Sequence, residues 1–298
     1  MKNILIIGCG LLGSSLVRRI SKKKLAKKIF IYEKSKRNIL MIKKLKLKAL
    51  VTKKLNYAVS QSEFIVFCTP MSEYKKIILR INKDLTSKHK ITDIGSSKLK
   101  SLNIIKKNLT KKTSWISSHP IAGSEVSGPE NGKHDLFENK WCVLIKEKKT
   151  NTKFFRFLTL FWKKMGSKII SMTPEKHDKI FSITSHLPHL IAYNLVKSAQ
   201  DFEKKQNYNL IKYSAGGLRD FSRIAASNEI MWRDIFFDNK INVIKAIDLF
   251  IKNLKKFKSD INSENNRLIL KKLIKTKKVR TQIIKLKQDV SKPDFGRN

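Results

Sequence analysis

The chain has 298 residues, 41% of them hydrophobic, enough to bury a large core and to form two domains. No apolar run approaches the ~20 residues that a membrane-spanning helix needs. The net charge of +42 comes mostly from lysine, with arginine a small minority of the 65 basic residues, and the lysines are spread through nearly every predicted element. A specific nucleic-acid reader needs clustered arginine for bidentate contacts, so this charge reads as solvated surface, as an AT-rich genome would write it, and no specific nucleic-acid partner is expected.

Cys9, Cys68 and Cys142 have no zinc-ligand spacing and sit in apolar or glycine-rich surroundings. Free thiols in a reducing cytoplasm are expected, and no metal site. The first residues carry too little positive charge, and no small-residue cleavage site, for a secretory leader.

The first half alternates short apolar runs with helical patterns, as βαβ units do. Strands are predicted at 4–7, 29–32, 49–51, 63–68, 91–94 and 115–118. Helices are predicted at 11–20, 36–46, 72–81 and 98–108. After 118 comes a loop of roughly 20 residues, longer than a simple connector. Two late strands, 141–145 and 168–171, flank a helix over 152–165. The character changes at Thr173-Pro174-Glu175, where an N-cap residue, a proline and an acid open a helix. Beyond it the chain is helical, with apolar residues at three and four spacing through 180–198 and 230–254. A lysine-rich amphipathic helix follows over 266–287, and the last eleven residues are expected to fray. The expected architecture is an α/β, Rossmann-type dinucleotide-binding domain over 1–172, followed by an all-α domain over 173–298.

Gly8-Cys9-Gly10-Leu11-Leu12-Gly13 follows a strand and opens a helix, the context in which GxGxxG marks a dinucleotide site. Gly8 permits the tight turn, Gly10 the approach of a pyrophosphate, and Gly13 close packing of helix on sheet. The amides of Leu11 and Leu12 join them at the helix N-terminus. Glu33, at the end of the second strand, would accept hydrogen bonds from the ribose hydroxyls and repel a 2′-phosphate. NAD is therefore expected as cofactor. NADP stays open because Lys34, Lys36 and Arg37 follow and could hold that phosphate.

Ser118-His119-Pro120-Ile121-Ala122-Gly123-Ser124-Glu125-Val126-Ser127-Gly128 places a histidine where an α/β sheet keeps its chemistry, just past a strand end. Imidazole suits proton transfer near neutral pH. Four more segments share the chain with it: Asp93-Ile94-Gly95-Ser96-Ser97-Lys98, Leu136-Phe137-Glu138-Asn139-Lys140, Ser185-His186-Leu187-Pro188-His189, and the run from Gly216 through Arg219 and Arg223 to Ala225. Met231-Trp232-Arg233-Asp234 comes last. In this order, from residue 3 to about 240, the motifs closely resemble the prephenate/arogenate dehydrogenases of tyrosine biosynthesis.

The resemblance implies oxidative decarboxylation of a cyclohexadienol. Prephenate would give 4-hydroxyphenylpyruvate; arogenate, the alternative substrate, would give tyrosine. His119 corresponds to the catalytic histidine, and Ser96 to a serine that shares the hydrogen bonding of the substrate's 4-hydroxyl. Arg223 corresponds to the arginine that grips a substrate carboxylate. Glu125 corresponds to an acid at the mouth of the site. His186 and His189 correspond to positions near the substrate, His189 to the direct contact. Arg219, four residues before Arg223, would share its face on a helix or else pair with Asp220.

The sequence departs from the family pattern at Ser97, at Asn228-Glu229 and at Lys146-Glu147. None of these removes a group the reaction needs. No chorismate mutase segment precedes the first strand and no regulatory domain follows the helices, so neither fusion is expected. Relatives pair through the helical domain, and a homodimer is expected. The rival reading, a β-hydroxyacid-type dehydrogenase, would want a lysine on the helix that here carries Ser185–His189.

Overall fold

The first strand, β1 (Asn3–Ile7), has Ile4, Leu5, Ile6 and Ile7 all fully buried. Such a run fits a parallel strand covered on both faces. Ile4 and Ile6 pack in one core layer, Leu5 and Ile7 in the other, following the two-residue period of a strand. In the computed structural model, which describes residues 1–110, 113–206 and 209–286, β1 lies at the centre of a six-stranded parallel sheet.

The chain then runs α1 (Leu11–Lys22), β2 (Lys28–Tyr32), α2 (Lys36–Lys44), β3 (Leu50–Thr52), α3 (Leu55–Ser60) and β4 (Phe64–Phe67). It continues with α4 (Tyr74–Ile81), β5 (Lys90–Asp93), α5 (Leu99–Asn108) and β6 (Ser114–Trp115). The strand order is β3-β2-β1-β4-β5-β6, so the winding reverses between β1 and β4 and leaves a crevice beyond their carboxyl ends. Helix α3 is not among the expected elements: six residues are too few for a helical period to emerge from the sequence.

The predicted strand over 115–118 is corrected. It divides into β6 and β7 (Ser118–Pro120), which belong to different sheets. The amide of Ile116 still donates to Ile91 O in the parallel sheet, whereas Ser117 O already accepts from Ile145 N. Beyond this bend β7 pairs antiparallel with β8 (Trp141–Ile145), setting His119 opposite Val143. Then α6 (Thr152–Lys164) leads to β9 (Lys168–Met172), which runs parallel to β8. Phe154, Leu158, Phe161 and Trp162 of α6 close the core layer beneath β1.

Helix α7 (Pro174–Phe181) starts with Thr173 accepting from Lys176 N and proline in the first turn. It passes into a wide π-helical turn, Ser182–His186, before α8 (Leu187–Gln206). Pro188 accounts for the widening: it has no amide to give and its ring crowds the carbonyl four residues earlier. The remaining helices are α9 (Gly216–Arg223), α10 (Glu229–Asp238), α11 (Lys240–Asn262) and α12 (Asn266–Lys285). Residues 287–298, including the tail expected to fray, lie outside the described residues. Trp232 and Ile235 of α10 enter the core layer that holds α4 and α5. Ser72 N also donates to Asp234 Oδ2 at 3.0 Å, so the helical part is docked against the strand ends. Among the described residues no helix is long and apolar enough to cross a membrane.

Candidate active site

A cleft of about 700 Å³ opens at the reversal between β1 and β4. Gly8, Gly10 and Glu33 line it from the α/β side, and Asn228, Ile230 and Arg233 from the helical side. Gly8 has φ +90°, and a side chain on it would strike Thr69 and the Cys68 carbonyl. A Cβ on Gly13 would lie 2.3 Å from Gly8 O, so only glycine lets α1 pack this close to the turn. Gly10 has nothing within 4 Å of its Cβ position, which leaves an open cradle at the start of α1. The first helical bond runs from Ser14 N to Gly10 O and no side chain caps the helix, so the amides of Leu11, Leu12 and Gly13 have no helical acceptor. These residues fit a pyrophosphate.

Glu33 is held firmly. Its Oε1 accepts from the amides of Lys34 and Ser35, each at 2.9 Å. Its Oε2 accepts from Cys9 N at 3.0 Å and Asn38 Nδ2 at 3.3 Å. Four donors occupy about four acceptor positions, so a ribose hydroxyl must take over the longest of these bonds. Burial, reinforced by the Glu33 charge, pushes the Cys9 thiol up to about 12, which makes Cys9 a packing group.

His119 and Ser96 are not on the wall of this cleft. His119, 8% exposed, stands on β7 with Phe181 against its ring. Its Nδ1 is 2.8 Å from Nε2 of His177, whose Nδ1 is 2.8 Å from Asp178 Oδ1. A carboxylate only accepts, so His177 Nδ1 donates to it and His177 Nε2 is left as a lone pair. His119 Nδ1 must then donate to His177, and His119 Nε2 remains free to take a proton. Asp178 also accepts from Lys98 N and Leu99 N at the start of α5, at 2.8 and 2.9 Å.

Lys98 is fully buried between the two sheets. Its Nζ donates to Asp93 Oδ2 at 2.6 Å and to Ser118 O, next to His119, at 2.7 Å. Burial foremost, then the charges of His177, Lys98 and His186, hold His119 well below the usual histidine range. His119 is thus kept neutral.

His186 is fully buried and lies against Trp232. The Asn239 side-chain amide donates to its Nδ1 at 3.1 Å and to Asp178 O at 2.7 Å. His189 stacks on the other part of the Trp232 ring, with centroids 3.8 Å apart, and its Nδ1 bonds Ser185 O at 3.0 Å. Burial lowers His189, and the nearby Arg223 charge lowers it further. Arg223 ends α9, where its Nη1 donates to Glu125 Oε2 at 2.8 Å across the domain boundary. Arg219 is exposed one turn earlier on the same helix. Ser96 follows β5 and is partly buried, with its carbonyl near His186.

Sequence reasoning did not assign roles to His177, Asp178, Lys98 or Asn239. The one local signal for the first pair is a histidine followed directly by an acid just after a helix start. No group of three or more metal-ligating side chains is present among the described residues.

The buried histidines tie stability to pH. Burial depresses His186 to about 4 and His177 well below 6.5. The unfolded chain therefore binds more protons below pH 6.5, and stability falls as pH drops from there towards 4. His186 alone accounts for a loss of about 3 kcal/mol. Asp178, raised by burial, offsets part of this at the acid end. Urea midpoints should fall steadily across this window, and a flat profile would contradict the assignment.

Residues 16–171 match the family model for the prephenate dehydrogenase nucleotide-binding domain, and 173–276 that for the prephenate dehydrogenase dimerization domain. The chain belongs to the prephenate dehydrogenase family. It is similar to the cyclohexadienyl dehydrogenase of Zymomonas mobilis, with 32% identity covering 94% of this chain and 95% of the relative. It is 30% identical to the prephenate dehydrogenase of Bacillus subtilis, over 88% of this chain and 71% of that one. A crystal structure of Aquifex aeolicus prephenate dehydrogenase, in complex with hydroxyphenyl propionate and NAD+, superposes with a TM-score of 0.89. That pair is 33% identical, covering 95% of this chain and 98% of the other. The His119 loop falls within the match to the nucleotide-binding domain and Arg223 within that to the dimerization domain, while the Gly8–Gly13 fingerprint lies just ahead of the first match.

Proposed function

We propose that the chain is an NAD-dependent prephenate dehydrogenase, converting prephenate to 4-hydroxyphenylpyruvate in the cytoplasm. The observation that carries this reading is the His119–His177–Asp178 chain, which fixes the tautomer of a buried imidazole and leaves its Nε2 as the proton acceptor. NAD, when bound, accepts a hydride.

His119 Nε2 takes the proton of the substrate's 4-hydroxyl as the hydride leaves C4. The bond from C1 to its carboxylate then breaks, CO2 departs, and the electron pair makes the ring aromatic. The phenolate oxygen recovers its proton from His119, so the balance is one hydride transferred and one CO2 released. Ser96 shares the hydrogen bonding of the 4-hydroxyl. Arg223 holds a substrate carboxylate, which takes the place of Glu125 on the guanidinium, so Glu125 guards the entrance. Arg219 adds positive charge on the same helix face, and His189 contacts the substrate from its stack on Trp232. His186, buried and bonded to Asn239, positions this cluster instead of touching substrate.

Purified protein given NAD and prephenate should generate NADH absorbance and release CO2; absence of both overturns the reading. Arg223→Ala should raise the prephenate KM by about tenfold or more with a smaller change in kcat. Equal KM values for the variant and the parent protein would reject that role.

Arogenate is the second substrate to test, because the similarity to a cyclohexadienyl dehydrogenase spans nearly the whole of both chains. Rates with each substrate, each with NAD and NADP, decide between them. We further propose a homodimer through the helical part. Ile241, Leu249 and Leu273 on α11 and α12 are more than half exposed and Leu268 is exposed beside them, all within the match to the dimerization domain. A monomer by light scattering at micromolar concentration would reject this.

A further inference from the structure

The adenosine end of the nucleotide cleft carries more positive charge than an NAD site requires. Lys34 and Arg37, one and four residues beyond Glu33, both line it. A cation just after the second strand is the feature with which such folds accommodate a 2′-phosphate. In this structure both cations are already engaged by carboxylates from elsewhere in the chain. Lys34 Nζ donates to Glu73 Oε2 at 2.7 Å, from the turn that precedes α4. Arg37 Nη2 donates to Glu130 Oε1 at 3.4 Å, from the long loop after His119.

The Glu130 contact is built into the loop. Gly128 has φ +98°, and a Cβ there would lie 2.5 Å from Glu130 Oε2, so the glycine leaves room for the carboxylate to fold back. The loop is pinned to α1 on either side of Glu130. Arg18 Nη1 donates to Pro129 O at 3.0 Å, and Lys133 N donates to Ser15 Oγ at 3.0 Å. Glu130 is therefore presented to Arg37 by backbone geometry and by the dinucleotide-binding helix itself.

We propose that Glu73 and Glu130 set cofactor selectivity by neutralising Lys34 and Arg37, so that the cleft refuses a 2′-phosphate. A phosphate arriving there meets two occupied cations and two carboxylates besides Glu33. It must displace a carboxylate from each cation or remain without a counter-charge. Exclusion of NADP is then shared by three acids from three parts of the chain. This inference rests on the NAD reading above.

The test is binding of ADP-ribose and 2′-phospho-ADP-ribose by titration calorimetry, which involves no turnover. The parent protein should prefer ADP-ribose. The Glu73→Gln/Glu130→Gln variant should bind the 2′-phosphorylated ligand about tenfold tighter than the parent, with ADP-ribose affinity changed less than about threefold. Its new affinity should fall steeply with added salt, as contacts to exposed cations do. Adding Arg37→Gln and Lys34→Gln should abolish the gain. An unchanged selectivity ratio in a variant that still binds ADP-ribose, or a gain that survives loss of both cations, overturns the proposal alone. A parent protein that already prefers the 2′-phosphorylated ligand overturns it together with the NAD reading.

Discussion

His119→Asn should lower kcat by on the order of a thousandfold while leaving prephenate affinity nearly unchanged. Asparagine retains a donor that can reach His177 Nε2, so the buried chain to Asp178 keeps its hydrogen bonds, but no base remains. Stopped-flow turnover and equilibrium binding, measured on the same preparation, separate the two effects. Normal turnover in the variant would end the proposed role. The parent enzyme's activity should also persist below pH 6.5. Only unprotonated His119 can accept the proton, and burial with its cationic neighbours keeps it unprotonated there. An acid limb centred above pH 6.5 would count against this.

Lys98→Met should be the most damaging single change to stability. It leaves the Asp93 carboxylate fully buried beside Tyr74 with no counter-charge, and it removes the donor to Ser118 O. Breaking a buried pair from one side costs about 3–5 kcal/mol. At about 2–4 °C per kcal/mol this lowers the melting temperature by roughly 10 °C. Adding Asp93→Asn removes the stranded charge and should restore part of the loss, because the amide oxygen can still accept from Gly95 N. A melting temperature within about 2 °C of the parent for Lys98→Met would show that the pair has no structural weight.

The parts legible in the sequence are those whose signals are local. The all-apolar β1, the glycine spacing at Gly8, Gly10 and Gly13, and the Thr173-Pro174 helix start each depend on residues within one turn or one strand. The bend between Trp115 and Ser118 could not be read this way. Those residues look like one strand, and only pairing with β8, more than twenty residues later, divides them. His177 was invisible for the same reason, since its partner His119 is 58 residues away. The widened turn at Ser182–His186 did have a local cause in Pro188, yet a helical pattern through 180–198 conceals it. Among the candidate site residues, spacing alone set Arg219 and Arg223 on one helix face, whereas the Arg223–Glu125 pair depends on domain docking.

The bend that takes His119 out of the parallel sheet divides labour along the chain. His119 is fastened by β8 and α7, while the loop that follows is fastened to α1, α2 and α9 through Lys133, Glu130 and Glu125. A residue inserted between Ile116 and Ser118 would turn the His119 side chain to the opposite face of its strand. One inserted after Ala122 would leave that register intact and shift instead the loop that carries Glu125 and Glu130. The proposed admission of substrate and the proposed removal of its proton thus fall on neighbouring stretches with separate anchors.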